Sequence, residues 1–179
     1  MATLKAPLTP DDHTLGLPNA PVEMVEYGDY ECPHCGAAHP IVKRILRQFG
    51  PKLLFAYRHF PLTQIHPHAQ AAAETAEFAG AHGQFWTMHD GIFEHQHRLG
   101  LPLLFALTGA LGFSEADLRN ALVNGAYTPK VRNNIVGGVR SGVSGTPTFF
   151  INGQRHEGSY SFSDLVLAIE EHLHFRVSP

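Results

Sequence analysis

The chain has only two cysteines in 179 residues, Cys32 and Cys35. That excludes a disulfide-stapled scaffold, and the loop between them is too short to constrain an unfolded chain much. There is no apolar run long enough to cross a bilayer. The first residues, Met1 to Asp12, have no apolar centre of the kind an export signal carries. Neither a basic stripe nor an acidic tail is present and the formal net charge is -3, so nucleic acid is not an expected partner. No internal repeat and no linker divide the chain.

What is present suffices for one sizeable domain. Hydrophobic residues make up 44% and charged residues 16%, a balance that supports a buried core. Val22 to Tyr27 reads as a buried strand ending at Gly28-Asp29. Cys32-Pro33-His34-Cys35 follows, and then Ile41, Ile45, Leu46 and Phe49 recur at helical spacing up to Gly50-Pro51. Leu53 to Phe60 reads as a second strand, and His13 to Leu15 as a short edge strand.

Helical patterns follow: His68 to Gly80, Gln84 to His95, Leu101 to Leu111, Glu115 to Asn124 behind a Ser114 cap, and Thr128 to about Gly142. Strands return at Thr148 to Ile151 and Gln154 to Glu157, joined by the hairpin signal Asn152-Gly153. An amphipathic helix over Ser161 to His174, with Leu165, Val166, Ile169 and Leu173 inward, closes the chain. The expected fold class is α/β, a mixed sheet with helices on both faces. The helical block from about 66 to 143 is expected to pack as a cap on one edge.

A strand, a turn and a helix opening on Cys-x-x-Cys is a geometry for thiol chemistry. The thiolate is the nucleophile, and Cys32 at a helix N-terminus would have its charge favoured by unpaired N–H groups and the helix dipole. Pro33 has no N–H to lose in that first turn, and His34 offers a donor or a positive charge near the sulfur. Glu26, six residues upstream inside an apolar run, is costly unless neutral or paired, which makes it a candidate proton acceptor for Cys35. Pro40 should kink the helix. Of the 13 histidines, His39 reads as helix surface and the clusters His66-Pro67-His68 and His95-Gln96-His97 as polar surface; no metal site is expected. Phe85 and Trp86 read as core of the helical block, and Gly137-Gly138 as a close helix approach or a bend.

Cys-Pro-His-Cys, the strand before it and the acid upstream resemble the DsbA-like thiol:disulfide oxidoreductases of the thioredoxin-like superfamily. Asp12 to Gly16 with Asn19 to Val22, His66 to Gln96 and Val143 to Gly153 resemble that family's entry strands, helical insertion and cis-proline segment. The resemblance implies a thioredoxin-like core over about 12–65 and 144–179, with a helical insertion over about 66–143, in a single domain. It implies exchange of disulfides with protein or peptide thiols, Cys32 as nucleophile and Cys35 as resolving thiol, with a further redox partner and no bound cofactor. It also implies a cis peptide before Pro147 that turns Thr146 toward the cysteines to hold substrate.

The expected compartment is the cytoplasm; an export signal removed upstream would instead place the domain in the periplasm or outside the cell. The alternatives are a zinc-binding or docking module on the same fold, and a glutathione-linked small-molecule reductase or transferase.

Overall fold

A computed structural model describes residues 2–175. In chain order the elements are β1 (His13–Leu15), β2 (Val22–Gly28), α1 (Pro33–Phe49), β3 (Leu53–His59), α2 (Ala69–Ala81), α3 (Phe85–Glu94), α4 (Leu101–Ala110), α5 (Glu115–Asn124), α6 (Thr128–Arg140), β4 (Thr148–Ile151), β5 (Gln154–Arg155) and α7 (Phe162–Phe175). The strands form one mixed sheet in the order β1-β3-β2-β4-β5. β2 and β3 run parallel, linked by α1, and the remaining pairings are antiparallel.

Alternation along β2 assigns side chains to the two faces. Val22 and Met24 join Leu53, Phe55 and Tyr57 of β3 in the larger core, with Ile45 of α1 and Ile169 of α7. Val25 and Tyr27 join Ala56, Phe60 and Phe150 on the opposite face. Each such aliphatic or aromatic side chain contributes about 1.5–3 kcal/mol when buried. Asn152 and Gly153 both have positive φ, 46° and 76°, so the hairpin forms where the Asn-Gly pair places it. Its returning strand is shorter than expected, ending at Arg155 rather than Glu157.

The helical block does more than cap an edge. Ala72, Ala76, Phe85, Met88, Ile92 and Leu104 belong to the same core cluster as α1 and β2. From the other face, α6 approaches through Gly137-Gly138. A Cβ on Gly138 would lie 2.8 Å from a Phe60 ring carbon and 3.0 Å from one of Tyr27. The pair is therefore a close approach, not a bend.

Gly138→Ala puts a methyl group against two buried rings. Overpacking costs about 1–3 kcal/mol, more than the roughly 1 kcal/mol of helix propensity gained. Urea denaturation should show a net loss of stability.

Candidate active site

Cys32 is the N-cap of α1, in extended conformation (φ -71°, ψ 121°), with Pro33 in the first turn and no acidic side chain there. The positive end of the helix is therefore left for the Cys32 sulfur. Glu26 ends up beneath it because β2 feeds straight into the turn. Thr146-Pro147 arrives from the far end of the chain because β4 pairs with β2, and its peptide bond is cis.

Cys32 Sγ lies 3.4 Å from the Thr146 carbonyl oxygen, to which the thiol donates. Its pKa is lowered to about 5. The Cys35 thiol contributes most to this by hydrogen bonding to the thiolate, against the cost of burial, and the Thr146 side chain and the backbone N–H groups of Cys35 and His34 add to it. Cys35 is fully buried; burial and its bond to Cys32 push its pKa well up. The one polar contact opposing this is the Asp29 N–H, which donates to Cys35 Sγ at 3.4 Å. Glu26 is only 3% exposed, and burial, then the Cys32 charge, raise its carboxyl to about 8. The site thus holds three neighbouring acids and gives the negative charge to Cys32 at the helix start. Such an arrangement can present a thiolate at neutral pH and keep a second thiol protonated behind it.

The His34 side chain does not turn to the sulfur as expected. It is exposed, and its Nδ1 lies 2.9 Å from the Tyr160 hydroxyl; what reaches Cys32 is its backbone N–H. His39 corrects the surface assignment: it is buried, stacks on Phe93 and contacts Asp90 Oδ1 at 2.8 Å. α1 continues through Pro40, which stands on the exposed side.

Two histidine clusters also depart from plain surface. His66 Nδ1 lies 2.8 Å from Asp29 Oδ2, and His95 Nδ1 donates to the Gly91 carbonyl at 2.9 Å. Arg58, from the end of β3, is fully engaged by Asp12, Tyr27 and the Ala6 and Pro7 carbonyls, away from the sulfurs.

Sequence reasoning missed Asp29 and Gln96. The Asp29 carboxylate accepts the Glu31 and Leu62 N–H groups at 2.7 and 2.8 Å, while its carbonyl accepts the Cys32 N–H. Gln96, from the helical block, donates to the Tyr30 and Cys32 carbonyls at 2.8 and 2.9 Å. A Cβ at position 36 would stand 2.2 Å from the Gln96 side-chain oxygen, so Gly36 is what lets that clamp close. The Gly after the second cysteine was a visible signal; its partner 60 positions on was not.

Of the histidines near the cysteines, His34 faces Tyr160 and His39 faces Asp90. Among the described residues, the ligating atoms that gather within 4.8 Å of one another are those of His39, His89 and Asp90, and there Lys43 already occupies Asp90 at 2.7 Å.

The family model described as thioredoxin matches residues 8–171. The chain belongs to the thioredoxin family. Oxidised BdbD from Bacillus subtilis superposes on this thioredoxin-family chain with a TM-score of 0.86 at 22% identity, covering 97% of this chain and 98% of that one. The alpha-DsbA1 of Wolbachia pipientis gives 0.83 at 22%, over 97% and 96%. The sheet with its inserted helices is thus the fold of these DsbA-like proteins.

In sequence, the chain is 44% identical over 167 residues to the Na(+)/H(+) antiporter NhaA 1 of Salinispora arenicola, and 41% identical over 167 residues to the Na(+)/H(+) antiporter NhaA 3 of Salinispora tropica. In both cases 93% of this chain aligns with 26% of the relative, so it spans about a quarter of the length of the curated relatives it matches. No helix among the described residues is long and apolar enough to cross a membrane.

Two titrations test the charge distribution. The ultraviolet absorbance of the Cys32 thiolate should appear with a midpoint near pH 5; a midpoint near the ordinary thiol value of about 8.5 contradicts it. Glu26, with its pKa raised to about 8, ionises in the unfolded chain first as pH rises, so it progressively destabilises the fold between about pH 4.5 and 8. Glu26→Gln should match the parent's stability near pH 4 and exceed it at pH 8 by on the order of 4 kcal/mol.

Proposed function

We propose that this domain is a thiol:disulfide oxidoreductase that exchanges disulfides with protein or peptide substrates through Cys32. The observation that carries the reading is the division of charge between the two cysteines: Cys32 lowered to about 5 at the helix start, Cys35 raised and buried behind it. In reduction, the Cys32 thiolate attacks a substrate disulfide, a Cys32–substrate bond forms and one substrate thiolate leaves. Cys35 then loses its proton and attacks Cys32 Sγ, releasing the second substrate thiolate and leaving the Cys32–Cys35 disulfide. Oxidation of a substrate dithiol runs the same steps backwards. The pair is its own redox reagent, and no cofactor takes part.

Glu26 is the proton acceptor for Cys35 in this reading. Once Cys32 is bound in a mixed disulfide its charge is gone, and with it one of the two causes that hold Glu26 protonated. The carboxyl becomes easier to ionise at the step when Cys35 must give up its proton. Pro147, which follows Thr146 across the cis bond, borders a groove of about 230 Å³ that runs past Phe149 and Arg155 to Tyr160. An extended substrate segment fits there, pairing with backbone beside the cis bond. Pro33 preorganises the helix start; His34, through its backbone N–H, steadies the thiolate, and its ring contacts Tyr160, which lines the groove.

A thiolate this stable favours the reduced pair and makes the disulfide a good oxidant. At a cytoplasmic glutathione poise, the proposed setting, the pair would rest as the dithiol and begin from the reducing direction, recharged by a separate redox partner. Antiport is a property named for the longer relatives; the part proposed for this quarter of them is redox exchange with protein thiols.

Cys32→Ser should abolish insulin reduction and peptide oxidation, and Cys35→Ser should accumulate a covalent Cys32–substrate adduct visible on a non-reducing gel. A Cys32→Ser protein that works at the parent rate contradicts the mechanism.

A further inference from the structure

The proposed exchange requires a proton to leave a place with almost no contact with water. Cys35 is fully buried and Glu26 nearly so. In the parallel register of β2 and β3, Glu26 pairs with Tyr57 and Gly28 with His59, so all four positions share the sheet face beneath α1. Gly28 has no side chain, and the Tyr57 ring occupies that space: a Cβ on Gly28 would lie 2.7 Å from the Tyr57 hydroxyl. The next residue, Asp29, donates to Cys35 Sγ. The Tyr57 hydroxyl therefore lies against Gly28, on the sheet face it shares with Glu26 and one residue before the backbone that contacts Cys35.

Three buried side-chain polar atoms among the described residues lack a hydrogen-bond partner, and two of them are Tyr57 Oη and His59 Nδ1. Leaving such an atom unpaired costs about 1–3 kcal/mol, and a Phe at position 57 would fill the same ring space without that cost. The two side chains stand two residues apart on one strand face, with ring centroids 5.6 Å apart. The far nitrogen of His59 is engaged: Nε2 lies 2.8 Å from Glu77 Oε1, and Glu77 Oε2 lies 2.9 Å from His13 Nε2. His13, on the edge strand, is 21% exposed. From His59 a chain of hydrogen-bonded groups thus runs through Glu77 to His13 at the sheet edge, and Tyr57 stands between that chain and Glu26 with its hydroxyl unpaired.

Other titratable groups face this line but do not interrupt it. Tyr30, from the active-site turn, packs on both Tyr57 and His59, and its hydroxyl is taken by His89 Nδ1 of α3 at 2.9 Å. His89 stands against Tyr57 and is kept neutral by burial. His39, Asp90 and Lys43 lie beyond His89.

We propose that Tyr57 and His59 form the proton exit of the site, carrying the proton between the Cys35–Glu26 pair and solvent by way of Glu77 and His13; this rests on the exchange function given above. When Cys35 attacks the mixed disulfide, its S–H proton passes to the Glu26 carboxylate. Glu26 then hands a proton to the Tyr57 oxygen as Tyr57 gives its own to His59 Nδ1. The imidazolium so formed is balanced by Glu77, and the Nε2 proton passes over that carboxylate to His13 and water. The substrate leaves as a thiolate, so charge and protons balance. Tyr57 and His59 are positioning residues here, since neither touches substrate.

The test uses a mixed disulfide of Cys32 with thionitrobenzoate, made in the parent, Tyr57→Phe and His59→Gln. Release of thionitrobenzoate, followed by its colour across pH, reports attack by Cys35. Both variants should release it about a hundredfold more slowly near neutrality, at the low end of what proton transfer contributes. The gap should close at alkaline pH, where hydroxide removes the proton directly. Their Cys32 thiolate midpoints should equal the parent's, and Tyr57→Phe should be at least as stable as the parent. Release with the parent's rate and pH profile in both variants overturns the exit. A parent protein that fails to release thionitrobenzoate and form Cys32–Cys35 overturns the exchange function itself, whatever the variants do.

Discussion

Three acids beneath one helix end cannot all be charged, and the rest of the site follows from how the structure resolves that conflict. Cys32, at the N-cap of α1, meets backbone N–H groups and the dipole and takes the charge. Cys35 and Glu26, one turn and one strand deeper, meet apolar side chains and keep their protons. A uniformly wet or uniformly dry site would not separate the two thiols. The separation needs a boundary between helix end and core that falls between positions 32 and 35, and the turn before α1 fixes it there.

That turn is held from both sides. Asp29 ties it to the segment after β3 through Leu62 and His66, and Glu31 accepts the His68 N–H at the start of α2 at 2.6 Å. Gln96 clamps the Tyr30 and Cys32 carbonyls. The helical block is therefore part of the active-site scaffold. Its Glu77 likewise ties it to the sheet: the carboxylate sits between His59 of β3 and His13 of the edge strand, and is held well below the usual range, chiefly by bonds to those two imidazoles against the cost of burial.

Much of this was legible in the sequence because it depends on local rules. Periodicity placed the helices to within a residue or two, the Ser114 cap forms with the Asp117 N–H, and the Asn152-Gly153 turn adopts the conformation its residues favour. Glu26 stood out as a carboxyl within an apolar strand, a conflict that marks an unusual environment. What sequence could not reveal were partners distant along the chain. Gln96 looked like a polar residue among surface histidines, and nothing near it points to Cys32. His39 looked exposed because α1 was read alone; α3 packs over it. His34 was assigned to the sulfur because it sits between the cysteines, whereas at that helix position its ring projects outward to Tyr160. Tyr57 read as an ordinary residue of an aromatic strand, and strand periodicity alone did not say whether Arg58 or His59 faces the site; the register sets Tyr57 beside Glu26 and His59 beside Gly28.

The central claim, that Cys32 and Cys35 form a working redox couple tuned by a stabilised thiolate, is tested most directly by equilibrating the protein against a series of glutathione buffers and quantifying free thiols. The account expects a single reversible two-electron transition between dithiol and intramolecular disulfide, at a potential more oxidising than the roughly -270 mV of thioredoxin. A pair that stays reduced across the series, or a transition at or below the thioredoxin value, would contradict it.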